Sequence, residues 1–137
     1  MNMSTAVDVR GVPYVISCVA RESNSPAERL IEPEFYLKGG GSPPQGKHYE
    51  LELVTPVWQD VNAKLIHFHR SDRNGKNYVC WTGQLPTIKA AQGLFEVWCA
   101  GTAYTMATGN DFIPLFKGSG EEFLRLLETE HGVRVLV

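Results

Sequence analysis

The stretch HYELEL at residues 48–53 decides the fold class, because polar and apolar side chains alternate along its whole length. On an extended chain its tyrosine and two leucines share one face, while its histidine and two glutamates share the other. One buried face and one hydrated face are typical of antiparallel sheets, whereas parallel sheets are usually covered on both faces. The stretch therefore predicts a mainly antiparallel sheet.

Other runs rich in β-branched and aromatic residues predict further strands of this sheet. Residues 12–21 are mostly apolar and predict a buried first strand at a central position. Residues 34–38 predict a short strand, and residues 133–137 predict a terminal one. Residues 64–70 and 77–83 flank an Asn-Gly turn, which predicts a β-hairpin between them.

Two capping patterns predict helices. Residues 25–28 read Ser-Pro-Ala-Glu and predict a short helix that Pro33 ends. Residues 119–122 read Ser-Gly-Glu-Glu and precede apolar side chains at helical spacing, until Gly132 supplies a stop. This second pattern predicts an amphipathic C-terminal helix.

The glycines guide the assignment of the region between the hairpin and the C-terminal helix. Residues 86–92 predict a short helix that ends at Gly93. Residues 94–108 predict a long strand, bent at Gly101, where the missing Cβ atom permits a bulge. We therefore expect an α+β fold: a mainly antiparallel sheet of five to seven strands, with the C-terminal helix and one or two short helices packed on it.

Length and composition indicate one globular domain over residues 1–137, with residues 1–10 as a flexible N-terminal segment. Asp8 and Arg10 interrupt the N-terminal region, so we expect no signal peptide. The apolar runs are too short to cross a bilayer, and we expect no membrane partner. The three cysteines form no CxxC pair, which favours a reducing compartment and a cytoplasmic protein.

The predicted hairpin, residues 64–82, concentrates the groups that could recognise another molecule. The formal net charge of −2 argues against a surface built throughout to bind nucleic acid, so a local patch matters more. Binding energy at protein interfaces concentrates in Trp, Tyr and Arg. The binding residues that we predict are Trp58, Phe68, Arg70, Arg73, Lys76, Tyr78 and Trp81. We expect them to contact another protein, as in an inhibitor, immunity or accessory protein that acts without chemistry.

Two alternatives stay open at the same hairpin. Bases of single-stranded nucleic acid could stack on Phe68, Tyr78 or Trp81 while the basic side chains follow the backbone. His67 and His69 stand two positions apart, so on a strand both imidazoles would share one face, as in a metal-dependent enzyme. They are weak metal candidates, because arginines follow them and no third ligand is apparent in the sequence.

Elsewhere the sequence has no recognisable catalytic pattern. Cys80 and Cys99 have aromatic or small apolar neighbours, which favours core positions over reactive thiols. Residues 41–47 match the GxxxxGK spacing of a phosphate-binding loop, but two prolines remove backbone donors and a strand follows. The sequence therefore favours a non-catalytic protein without a cofactor.

Overall fold

The computed structural model describes residues 1–23, 48–54, 67–70, 75–79, 85–116 and 118–136. In chain order, their elements are β1 (Asn2–Val9), β2 (Val12–Ser23), β3 (His48–Leu53), β4 (Phe68–Arg70), β5 (Asn77–Val79), α1 (Ile88–Thr108), a 3-10 helix (Ile113–Leu115), α2 (Gly120–His131) and β6 (Val133–Leu136). The helix predicted from residue 25 and the strand predicted at residues 34–38 lie outside the described residues.

The described strands form one six-stranded sheet in the order β4-β5-β3-β2-β1-β6. Every pairing in it is antiparallel. The predicted α+β class with a mainly antiparallel sheet is therefore confirmed. The run at residues 12–21 lies in β2 and is central as predicted, although β2 is the second strand along the chain and not the first.

One face of the sheet carries the core. Register pairs Cys18 with Leu53 and Ala20 with Leu51, and all four side chains are buried on the face that α1 covers. Fully buried aromatic side chains complete this layer, among them Phe95 of α1. The alternation of β3 thus places its leucines in the core, and the sheet is packed from one side by both helices.

The N-terminal segment is a strand, which corrects the expectation of flexibility at residues 1–10. β1 pairs with β2 on one side and with β6 on the other. Met3, Thr5, Val7 and Val9 alternate with more exposed residues and are buried. This period of two was present in the sequence, so the charges near residue 10 mark the β1–β2 turn and do not prevent a strand.

The largest correction concerns residues 94–108, which belong to helix α1 and not to a strand. Thr87 caps the helix by accepting a hydrogen bond from the Ala90 amide at 3.1 Å, and Gly109 ends it at φ +77°. Gly93 and Gly101 both lie inside the helix. Since the later turns of α1 are buried, residues 97–105 hold no charged side chain, and that part of the helix lacks the polar stripe that usually reveals one.

The C-terminal helix follows the prediction. The Ser119 hydroxyl accepts a hydrogen bond from the Glu122 amide at 3.1 Å, and Gly132 ends α2 at φ +66°. Phe123 and Leu127 are fully buried, while the glutamates of the helix are exposed. In the described part of the chain, neither α1 nor α2 has the combined length and hydrophobicity that crossing a membrane requires.

Candidate functional site

The predicted hairpin is present as the pair β4–β5. Phe68 pairs with Val79, and Arg70 pairs with Asn77. The structure describes Phe68–Arg70 of the first predicted strand and Asn77–Val79 of the second, and residues 64–66, 71–74 and 80–83 lie outside the described residues.

Two aromatic residues of the predicted binding set are buried. Phe68 is 6% exposed and Tyr78 is 5% exposed. A base stacks on an accessible ring, so the burial of these two rings disfavours stacking on them, and the nucleic-acid hypothesis stays a prediction. The other aromatic candidates, Trp58 and Trp81, lie outside the described residues, as does Arg73.

The basic members of the set that the structure describes are exposed. Arg70 and Lys76 both lie at the surface. The Lys76 ammonium lies 3.0 Å from Oε1 of Glu52, and Arg21 donates a hydrogen bond to Oε2 of the same carboxylate. Lys76 therefore takes part in an ion-pair cluster of the sheet surface, which gives it a structural role beside any role in binding.

Glu52 is the centre of this cluster. Its neighbours in the strand face the helices, so Glu52 lies on the opposite face of the sheet, beside Tyr78 of β5. Its side chain is only 8% exposed. Burial acts to raise the pKa of Glu52, but the hydrogen bonds and charges of Arg21 and Lys76 outweigh burial and hold the pKa below its ordinary value of 4.5.

We expect the substitution Glu52→Gln to destabilise the fold most at neutral pH. A carboxylate whose pKa is lowered by folding stabilises the protein above pH 4.5, and this contribution is lost as the pH falls through the lower pKa of the folded state. The measurement is the free energy of unfolding of both proteins in urea, at several values from pH 7 to pH 3. The difference between them should shrink toward pH 3. Glu130→Gln, at an exposed position of α2, is the control, and an equally large difference at every pH would contradict the expectation.

His67 does not continue strand β4. Its backbone has φ +59°, a left-handed conformation, and β4 begins only at the next residue. The sequence argument that His67 and His69 share one strand face therefore fails, because the alternation of a strand does not extend to His67. The described residues contain no group of three or more side chains suited to hold a metal ion.

The imidazole of His67 is instead engaged by the segment after α1. Its Nε2 atom lies 2.8 Å from Oδ1 of Asp111, and the same oxygen accepts a hydrogen bond from the Ile113 amide at 2.9 Å. The ring also packs edge-on against Phe112, with centroids 5.2 Å apart. These contacts fasten the hairpin to the end of α1.

The two described cysteines are unsuited to nucleophilic catalysis. Cys18 and Cys99 are buried and form no disulfide. Burial raises the pKa of Cys18 to about 12 and raises that of Cys99 well above its ordinary value. Reactive cysteines need the opposite shift, because the thiolate is the nucleophile. The core position that the sequence predicted for Cys99 is confirmed, whereas Cys80 lies outside the described residues.

A groove between α1 and α2 is the site that the sequence did not reveal. The helices approach closely at Gly120, where an added Cβ atom would lie 2.9 Å from Cγ2 of Val97. Beside this contact they diverge and leave a groove of about 410 Å³. Its apolar lining includes four half-buried side chains, Leu94, Val97, Phe116 and Leu124.

The charges and the open side of the groove complete its description. Among the described residues, the charged side chains that line it are Glu96 and Glu121, and both are exposed. Gly93 lies at its exposed edge, and a Cβ atom added there would have no atom within 4 Å. The site thus offers an apolar floor, an acidic rim and room for another backbone.

Only the helical assignment of α1 makes this site visible. Ala90, Leu94 and Val97 recur at spacings of four and three residues and so share one face of a helix. On a strand they would fall on both faces, which hides the stripe.

Comparison of the chain with protein families, with curated proteins and with solved structures finds no match.

Proposed function

We propose that this protein is a non-catalytic binding module for another protein, and that the groove between α1 and α2 is its docking surface. The observation that carries the proposal is the half-buried apolar floor bounded by Leu94, Val97 and Leu124. Such a surface gains stability when a partner covers it, since burial of apolar area is favourable by about 25 cal/mol per Å². Action by occlusion, as in an inhibitor, immunity or accessory protein, needs no further chemistry.

The hairpin supports the same function less strongly. Of its predicted binding residues, Phe68 and Tyr78 are buried and Lys76 already contacts Glu52. Arg70 remains an exposed candidate for the edge of an interface. We further infer a reducing compartment, such as the cytoplasm, because Cys18 and Cys99 are free thiols.

The test is an affinity capture with three forms of the protein. Gly93→Gln would place a long side chain across the groove, whereas the matched control Gly93→Ala is too small to fill it. Both variants should fold, because the position opens to free space. We expect a defined protein from the source cells to be retained by wild type and by Gly93→Ala, and to be reduced at least about tenfold with Gly93→Gln.

A fourth form, Arg70→Ala, separates the groove from the hairpin. If capture of the partner is lost with Arg70→Ala and unchanged with Gly93→Gln, the groove is not the docking surface. If no protein is retained by wild type and reduced with either Gly93→Gln or Arg70→Ala, the proposed function is wrong.

A further inference from the structure

We propose that the partner presents a basic amphipathic helix to this groove. The inference rests on the proposed function and names the chemistry of the segment that would be bound. The apolar stripe of the partner helix would cover the floor of the groove, and the lysine or arginine side chains of that helix would face the two glutamates of the rim.

The shape of the groove suits a helix. Its walls are two packed helices, and a third helix can lay a ridge of side chains between them in the manner of ordinary helix packing. Gly93 lowers the wall on the α1 side because it has no side chain and faces open space. A helix axis can therefore approach α1 closely there, over the floor formed by Leu94 and Val97.

The charge on the partner follows from the rim. In the described lining of the groove, the two charged residues, Glu96 and Glu121, are carboxylates on opposite walls. Within the described part of the chain, neither forms an ion pair. Glu128 is exposed on α2 one turn beyond Leu124, and Lys89 is exposed on α1 one turn before Gly93, but neither lines the groove. Arg125, although adjacent on α2, is outside the lining of the groove.

The acidic rim disfavours the competing occupants. Phosphates of a nucleic acid or of an anionic membrane would meet like charge at Glu96 and Glu121. A second copy of the chain, docked through the same groove about a twofold axis, would bring its own glutamates to this rim. A cationic helix instead gains from both features of the site, because its charges steer the encounter and its apolar side is buried.

The inference can be tested with two synthetic helical peptides of equal length. Both carry leucine at positions i, i+3, i+4 and i+7, and the flanking positions are lysine in one peptide and glutamate in the other. We expect the lysine peptide to bind wild type, with an affinity that falls as salt rises, and the glutamate peptide to bind at least about tenfold more weakly. Calorimetric titration of the full chain measures both.

Variants locate this binding. Gly93→Gln should weaken binding of the lysine peptide at least about tenfold, and Gly93→Ala, which adds one methyl group, should weaken it less than about threefold. The double variant Glu96→Gln, Glu121→Gln should weaken binding of the lysine peptide about three- to tenfold and make its affinity less dependent on salt. Glu130→Gln removes one exposed charge of α2 outside the groove and is the matched control.

The outcomes separate the partner class from the proposed function. If a cellular partner is captured through Gly93 but the lysine peptide binds no better than the glutamate peptide, the docking site stands and the basic helix is wrong. The inference is also overturned if the affinity for the lysine peptide is the same in wild type, in Gly93→Gln and in the double variant. The chain could also dimerise in sedimentation experiments and lose this dimerisation with Gly93→Gln. That result would assign the groove to a second copy of the chain and overturn the inference.

Discussion

Truncation of Phe123 to alanine is expected to lower the free energy of unfolding by about 3–5 kcal/mol. The ring is fully buried, and it contacts Phe116 and Phe112 with centroids 5.0 Å and 6.0 Å apart. Its removal leaves a cavity between α2 and the segment that follows α1. Because a domain of this size is typically stable by only about 5–15 kcal/mol, the variant should be close to unfolding. Urea denaturation followed by circular dichroism measures the loss.

The neighbouring residue is the matched control for this prediction. Leu124 is half-buried and lines the groove, so Leu124→Ala removes a part of the docking surface with a smaller cost in stability. We expect Leu124→Ala to remain folded and to lose partner capture, whereas Phe123→Ala loses both together. Equal losses of stability in the two variants would show that Phe123 is not the stronger contact of α2 with the core.

Local signals account for the parts of the fold that the sequence predicted. The alternation of β3 and the capping residues of α2, Ser119 and Gly132, depend on neighbours within a few residues. The same holds for the β4–β5 pairing around its turn. The residues that determine such features lie within or next to the element itself, and a sequence pattern can therefore identify them.

Long-range packing accounts for what the sequence did not predict. Gly101 predicted a bent strand, but its small size is required by Phe112, which follows it by eleven residues and packs against α1 only in the folded state. The groove depends in turn on the close approach of Gly120 to Val97. Neither contact produces a periodic pattern in the sequence, so the sequence alone does not predict the groove.

The substitution Gly101→Ala is expected to destabilise the protein by about 1–3 kcal/mol, although alanine is the better helix former. An added Cβ atom would lie 2.5 Å from Cδ2 of Phe112, closer than side-chain carbon atoms can approach. Phe112 is itself buried, at 3% exposure, and is packed against His67 and Phe123. The ring therefore cannot move aside without disturbing the contacts that fasten the hairpin to α1.

Gly93→Ala in the same helix separates steric overlap from helix propensity. Gly93 has open space beyond its Cα atom, so alanine there should stabilise the fold by about 0.5–1 kcal/mol. The two glycines thus predict opposite signs for one chemical change in α1. Thermal and urea denaturation of both variants measure the difference. Stabilisation by Gly101→Ala would mean that Phe112 does not pack against α1. The ring would then not support the pair of helices that forms the groove.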